Sequence, residues 1–159
     1  MRAVTVFRRL IIVIFGILLI PQALNLIPSD NGDKANIKLL QKDGPVTTYV
    51  IDKKMDMDGD VFTAEDIYIT PKQVVLQYSI KKQDRNGWSF PNTDLTLIDS
   101  NGEEMISHGG GSSVRAWGES GIMFFDKMKD PDGDLIIKYK WYDREALLNI
   151  SLPKDGEGQ

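Results

Sequence analysis

The segment from Lys54 to Glu65, KMDMDGDVFTAE, has the spacing of a calcium-binding loop. In the twelve-residue EF-hand loop, oxygen ligands recur at alternate positions, a glycine at position 6 allows a sharp turn, and a glutamate ends the loop. Counted from Lys54, the glycine falls at position 6 and the carboxylates at positions 3, 5, 7 and 12, namely Asp56, Asp58, Asp60 and Glu65. These four residues are the metal-binding candidates of the sequence.

An acidic β-turn explains the same residues, and we favour that interpretation. Lys54 puts a cation where the first carboxylate of an EF-hand belongs, and the flanking residues indicate strands rather than helices. The pair Asp58-Gly59 is typical of a tight turn because both residues accept a positive φ. The acidic stretch 130–134, with Pro131 and Gly133, allows the same two interpretations. Calcium binding is the less favoured interpretation at both turns, and we expect no other cofactor.

The run His108-Gly109-Gly110-Gly111 matches an element that supplies oxyanion-hole amides in some esterases. That chemistry also needs a nucleophile elbow and a separate catalytic histidine. The segment 118–121, GESG, does not have the elbow spacing, and His108 is the only histidine. We therefore expect a flexible glycine-rich loop between strands here, no catalytic residues, and no enzyme activity.

Five aromatic residues offer a different kind of site. They are Trp88, Trp117, Tyr139, Trp141 and Tyr142, and an exposed set of such rings could bind sugars or peptidoglycan. Because side chains alternate along a strand, Tyr139 and Trp141 should share one face and Tyr142 should lie on the other. Core packing is the leading interpretation for Trp141, whereas Trp88 is the ring we expect to be most exposed.

The composition removes several other chemistries. The chain has 159 residues, no cysteine, one histidine and a formal net charge of −4. Without cysteine there are no disulfides, thiolate zinc sites, cysteine nucleophiles or lipid-modified cysteine anchors. One histidine excludes a site built from several histidines. The net acidity argues against nucleic acid as a partner.

The first 27 residues differ in character from the rest. They contain Arg2, Arg8 and Arg9 and no acidic residue, and Leu10–Ile20 has no polar side chain. A helix over residues 10–27 would be about 27 Å long, close to the thickness of one hydrocarbon core. Because basic residues stay on the cytoplasmic side, residues 1–9 should lie inside and the domain after residue 27 outside.

A cleaved signal peptide is the alternative for the same residues. It requires a basic start, an apolar run and small residues at the cleavage site. The best site would follow Ala23, with Pro21 at position −3, which is a poor match. We therefore expect a single-pass anchor in the cell membrane with an extracytoplasmic domain, and keep a secreted product as the alternative.

The part that follows the anchor has the pattern of β-structure. Residues 28–45 form a polar linker, and short segments rich in Val, Ile, Tyr, Phe and Thr then alternate with turn residues. The expected strands are Val46–Ile51, Val61–Thr70, Gln73–Lys82, Leu95–Asp99, Glu104–Ser107, Ile122–Phe125, Leu135–Tyr142 and Leu147–Leu152. This number of short strands predicts an antiparallel sandwich over residues 46–153, followed by a frayed tail at 154–159.

The order of strands and turns resembles a known family. The segments 59–80 (GDVFTAEDIYITPKQVVLQYSI), 95–104 (LTLIDSNGEE) and 134–143 (DLIIKYKWYD) are similar to an immunoglobulin-like domain of unknown function from Gram-positive bacteria. In that family the domain lies on the outer side of membrane-anchored proteins of the anti-sigma-factor type. The resemblance implies an immunoglobulin-like sandwich and no catalytic residues.

This chain departs from the family in one respect. Family members that bind sigma factors carry a cytoplasmic domain before the membrane helix, whereas here only residues 1–9 precede the apolar segment. Nine residues are too few for a sigma-binding domain. We therefore expect a non-enzymatic cell-surface domain that binds a protein or an envelope ligand, accessory to envelope signalling. The alternative is a secreted module that binds carbohydrate or calcium.

Overall fold

The computed structural model describes residues 38–84, 90–115, 117–130 and 133–152. Within these ranges the chain is built from strands, with single 3-10 turns at Gln41–Asp43 and Asn92–Asp94. The strands are β1 (Thr47–Met57), β2 (Asp60–Ile69), β3 (Gln73–Lys81), β4 (Leu95–Ile98), β5 (Glu104–Met105), β6 (Ser107–Arg115), β7 (Gly118–Asp126), β8 (Leu135–Trp141) and β9 (Arg144–Ile150). The prediction of an all-β domain is confirmed.

The strands form two antiparallel sheets. One sheet has five strands in the order β1-β2-β3-β7-β6, and the other has four in the order β5-β4-β8-β9. On one side of the sandwich β1 lies against β9, where the Lys53 ammonium donates to the Asn149 carbonyl oxygen at 3.1 Å. The edge strands β6 and β5 belong to the opposite side.

Alternation of side chains explains why the sheets face each other. In β3, Val74, Leu76, Tyr78 and Ile80 are buried in the core, as the period of two in the sequence predicted. Side chains from both sheets contribute to one hydrophobic cluster. Its centre is aromatic, because Phe90 lies with ring centroids 6.0 Å from Phe62, 5.7 Å from Tyr78 and 5.3 Å from Tyr139. The fold is therefore an all-β sandwich with one core.

Backbone geometry confirms the predicted Asp58-Gly59 turn and shows a second tight turn at Gly102. Asp58 and Gly59 both have positive φ, 64° and 91°, as a type I′ hairpin turn requires, and they connect β1 to β2. Gly102, with φ 80°, lies in the turn between β4 and β5. There Asp99 accepts hydrogen bonds from the backbone N–H groups of Asn101 and Glu103, both at 2.9 Å. These reversals fix the register of both hairpins.

The glycine-rich segment is not the loop that we predicted. Residues 107–115 form β6, which pairs antiparallel with β7 from Ser107↔Phe125 to Arg115↔Gly118. The strand was missed because glycine and serine provide no hydrophobic alternation from which a strand can be recognised. Hydrogen bonding to the backbone of β7 holds it instead. A long edge strand therefore occupies the segment that we predicted to be a loop.

The segment before β1 is attached to the sandwich by Asp43. Its carboxylate oxygens accept hydrogen bonds from the Lys72 ammonium at 3.2 Å and from the Gln73 amide at 2.6 Å. These two hydrogen bonds hold the pKa of Asp43 below its usual value. The contact fixes the 3-10 turn at Gln41–Asp43 over the connection between β2 and β3.

The predicted anchor at residues 10–27 lies outside the described residues, as do residues 1–9 and the tail at 154–159. Among the residues that the structure does describe, none belongs to a helix with the length and apolarity needed to span a bilayer. The anchor, the linker bounds and the domain bounds stay predictions.

Candidate functional site

Two hairpin turns, far apart in the sequence, meet at one end of the sandwich. They are the Asp58-Gly59 turn between β1 and β2 and the Tyr142-Asp143 turn between β8 and β9. Between them is a cavity of about 340 Å³, which we call the turn-end cavity. It is lined by Asp56, Met57, Asp58, Tyr139, Asp143, Arg144, Glu145 and Ala146. Its volume is at the lower end of the range for small-ligand sites.

Tyr142 precedes the cavity-lining Asp143 in the β8–β9 turn and has its side chain in solvent. It is 84% exposed, and its backbone has φ 53°, a conformation that residues with a side chain rarely adopt. Trp141 and Arg144 close the two-residue turn as a cross-strand pair. A two-residue hairpin turn requires a positive φ, and here it falls on a tyrosine where glycine, asparagine or aspartate is usual.

Arg144 connects the two turns. Its guanidinium forms an ion pair with the Asp58 carboxylate at 3.2 Å and lies 5.9 Å from the centre of the Trp141 ring. The Trp141 and Tyr142 rings contact edge to face, with their centroids 5.0 Å apart. Trp141 itself is half-buried and packs against the core, in agreement with the predicted packing role. The arginine therefore holds both turns beside a pair of aromatic rings.

The electrostatics of the turn-end cavity are acidic. Its lining contains four carboxylates, those of Asp56, Asp58, Asp143 and Glu145, and one guanidinium. Burial raises the pKa of the Tyr139 hydroxyl to about 12; the negative charge of Asp94 adds to the shift and Arg144 opposes it. Tyr139 is therefore protonated at neutral pH. The cavity favours a ligand with a cationic or hydroxyl-bearing group.

The four calcium candidates do not share one environment. Asp56 accepts a hydrogen bond from the Gly59 N–H at 3.2 Å, and Asp58 pairs with Arg144. Asp60 is buried and accepts the Gln83 N–H at 2.8 Å. Since Asp60 is opposite Met57 and Asp56 is opposite Val61, Asp60 and Asp56 point to opposite faces of the hairpin.

Glu65 lies further along β2, at an irregularity in the pairing with β3, and accepts a hydrogen bond from the Gln77 amide at 3.3 Å. In the ranges that the structure describes, no three His, Asp or Glu side chains stand together in a way that would hold a metal ion. In an EF-hand loop the carboxylates point toward one ion, whereas in this hairpin they point in different directions. The calcium site stays a prediction, and Asp56 and Asp58 are the two candidates that line the cavity.

The other residues selected from the sequence lie elsewhere. His108 is half-exposed in β6, with its ring nitrogen 3.9 Å from the Asp126 carboxylate. Trp117 is 58% exposed beside β7. Trp88 and the residues Pro131 and Asp132 lie outside the described residues.

The sequence did not indicate that Asp143, Arg144 and Glu145 line a site. A charged tripeptide after an aromatic pair carries no motif, and only the pairing of β8 with β9 brings it into the cavity. A positive φ at Tyr142 also has no sequence signal, because glycine, asparagine and aspartate are the residues that announce such positions.

The fold and the site together define an antiparallel β-sandwich domain with a ligand-sized cavity between two of its turns. Residues 46–155 match a family of unknown function, DUF5643, and the chain belongs to that family. Neither the curated proteins nor the solved structures gave a significant match to this chain.

Proposed function

We propose that the chain is a non-enzymatic, membrane-anchored module of the cell surface that binds an envelope ligand at the turn-end cavity. The observation that supports this is the ring of Tyr142, which is 84% exposed and stands on a backbone of positive φ next in sequence to the cavity-lining Asp143. Backbone strain reduces stability, and binding is a reason for the fold to retain it.

The ligand class follows from the lining. A flat aromatic ring contacts the apolar face of a sugar or attracts a cation, and Arg144 and the carboxylates provide hydrogen-bonding partners for hydroxyl and amino groups. Four carboxylates against one guanidinium select a cationic group over an anionic one. We therefore propose a polymer of amino-bearing or hydroxyl-bearing units, with peptidoglycan as the candidate to test first.

The location of the domain is part of the same proposal. The acid-free apolar segment at residues 10–27, preceded by three arginines, supports an anchor with residues 1–9 inside and the sandwich outside. The order of its strands and turns supports an immunoglobulin-like domain of a Gram-positive cell, accessory to envelope signalling.

Cosedimentation with insoluble peptidoglycan tests the binding proposal. The full chain in detergent micelles should sediment with peptidoglycan, and Tyr142→Ala should reduce the bound fraction at least several-fold. Val50→Ala is the matched control, because Val50 is 82% exposed on β1 and does not line the cavity. The control should bind like the unaltered chain.

Two further outcomes separate the alternatives. Binding that requires calcium and is lost in Asp58→Ala would favour a calcium-dependent module. A mature chain that begins near Leu24 would favour secretion over an anchor and would leave the binding proposal intact. No sedimentation with peptidoglycan, or equal binding by Tyr142→Ala and Val50→Ala, would refute the proposed use of this cavity.

A further inference from the structure

The four edge strands of the two sheets are protected to different degrees. Natural sheets protect their edges with short strands, charges, bulges or coverage, since an open edge pairs with other chains. β5 has only two residues, Glu104 and Met105. β1 carries a pairing irregularity between Val50 and Lys53, charged residues at its centre, and β9 at its side. β5 and β1 are therefore poor templates for further pairing, and the edge strand β9 lies against β1.

β6 has none of these protections along most of its length. Seven residues, Gly109–Arg115, follow the irregularity near His108 and are all exposed. Gly109–Val114 contains neither a charge nor a proline. In the part of the chain that the structure describes, β7 is the one strand paired with β6, so the other edge of β6 is open.

Exposed apolar side chains accompany this edge. Val114 is 68% exposed within β6, and Ile106 and Trp117, which flank the strand, are 70% and 58% exposed. Beside β6 is a cleft of about 320 Å³ whose lining includes Gly110 and Met123. An open edge, three exposed apolar residues and an adjacent cleft together indicate a protein-binding surface.

We propose that β6 pairs antiparallel with β6 of a second copy of this chain, around a two-fold axis at Ser112. This register uses the whole regular segment and places Val114 of one copy opposite Gly110 of the other. Both residues face the inner side of the sheet, since Val114 pairs with the buried Glu119 and Gly110 with the buried Met123. The Val114 side chain therefore lies opposite a glycine, which leaves room for it.

The charges and the flanking residues fit the same register. Arg115, the one permanent charge of the segment, lies opposite Gly109 of the other copy, so no like charges meet. Because the two strands are antiparallel, Trp117 of one copy and Ile106 of the other flank the same end of the paired region. Because the surface is self-complementary, a closed dimer with one continuous sheet satisfies the edges of both copies. The inference does not rest on the turn-end cavity.

The absence of cysteine gives a direct test. In the full chain in detergent micelles, Ser112→Cys places one thiol on each copy at the two-fold axis. Directly opposed residues of antiparallel strands have Cα atoms about 4.5–5.5 Å apart, which is within the range for a disulfide. Mild oxidation should then give a dimer band on a non-reducing gel. Val50→Cys, exposed on β1, is the matched control and should stay monomeric.

A mixed experiment tests the register and does not depend on Ser112. Gly111 lies opposite Ser113, so a mixture of Gly111→Cys and Ser113→Cys chains should cross-link several-fold more than either variant alone. A cysteine at 111 finds open space, because no heavy atom lies within 4 Å of a Cβ added there. If Ser112→Cys and the mixture cross-link no more than Val50→Cys, or if the unaltered chain is a monomer at micromolar concentration, the proposal is wrong.

Discussion

Replacement of Tyr142 should reverse the usual stability order of alanine and glycine. At an extended strand position, a protein with glycine is less stable than the same protein with alanine by about 0.5–1 kcal/mol, because glycine loses more conformational freedom on folding. Tyr142 has φ 53°, and a side chain in this region adds about 1–2 kcal/mol of steric strain that glycine does not have. The central values of these two ranges leave Tyr142→Gly more stable than Tyr142→Ala by about 0.75 kcal/mol.

Thermal unfolding measures this difference directly. For a domain of this size, about 0.75 kcal/mol corresponds to about 3–6 °C in Tm. Both variants lose the ring and its contact with Trp141, so the comparison isolates the backbone. The matched pair at Val50, an exposed strand position, should show the normal order, with Val50→Ala above Val50→Gly. Equal Tm values for the two Tyr142 variants, or a higher Tm for Tyr142→Ala, would refute the backbone strain at Tyr142.

Three further predictions concern the rest of the domain. Since burial raises the pKa of Tyr139, and also that of Tyr78, above the usual tyrosine value, folded stability should fall as the pH rises above about 10; Tyr139→Phe should reduce this loss in pH-dependent unfolding, and the part due to Tyr78 should remain. Asp99→Ala should destabilise the domain by about 1–3 kcal/mol in urea unfolding, because two backbone N–H groups lose their acceptor, whereas Ser100→Ala should have little effect. Calcium and chelator should give the same Tm within about 1 °C; a calcium-dependent rise that Asp58→Ala abolishes would contradict the turn interpretation.

The strands with clear alternation could be predicted from the sequence, and the others could not. β3 combines buried Val74, Leu76 and Tyr78 with the polar Gln77 and Ser79 on its other face, and Pro71 follows the end of the preceding strand. β1 extends beyond the predicted Ile51 to Met57, through a charged segment whose side chains point to solvent. β6 was mistaken for a loop because its central residues have almost no side chains, and its identity depends on pairing with β7.

The candidate site, like the strands, could be predicted from the sequence only in part. The Asp58-Gly59 turn and the aromatic residues Trp141 and Tyr142 were each recognised from local sequence. Their proximity was not predictable, because it depends on β1 packing beside β9 across the sandwich, a contact between distant parts of the chain. Arg144, which joins the two turns through Asp58, had no local signal at all. Chemistry-bearing residues were visible in the sequence, whereas the cavity that they form depends on the fold.

The most direct test of the proposed function is the dissociation constant of solubilised peptidoglycan fragments, measured by calorimetry on the full chain in detergent micelles. We expect saturable binding by the unaltered chain and by Val50→Ala. The affinity of Tyr142→Ala should be at least about tenfold weaker, equivalent to about 1.4 kcal/mol of binding free energy. Equal dissociation constants for all three proteins, or no binding by any of them, would contradict the assignment of the turn-end cavity as an envelope-ligand site.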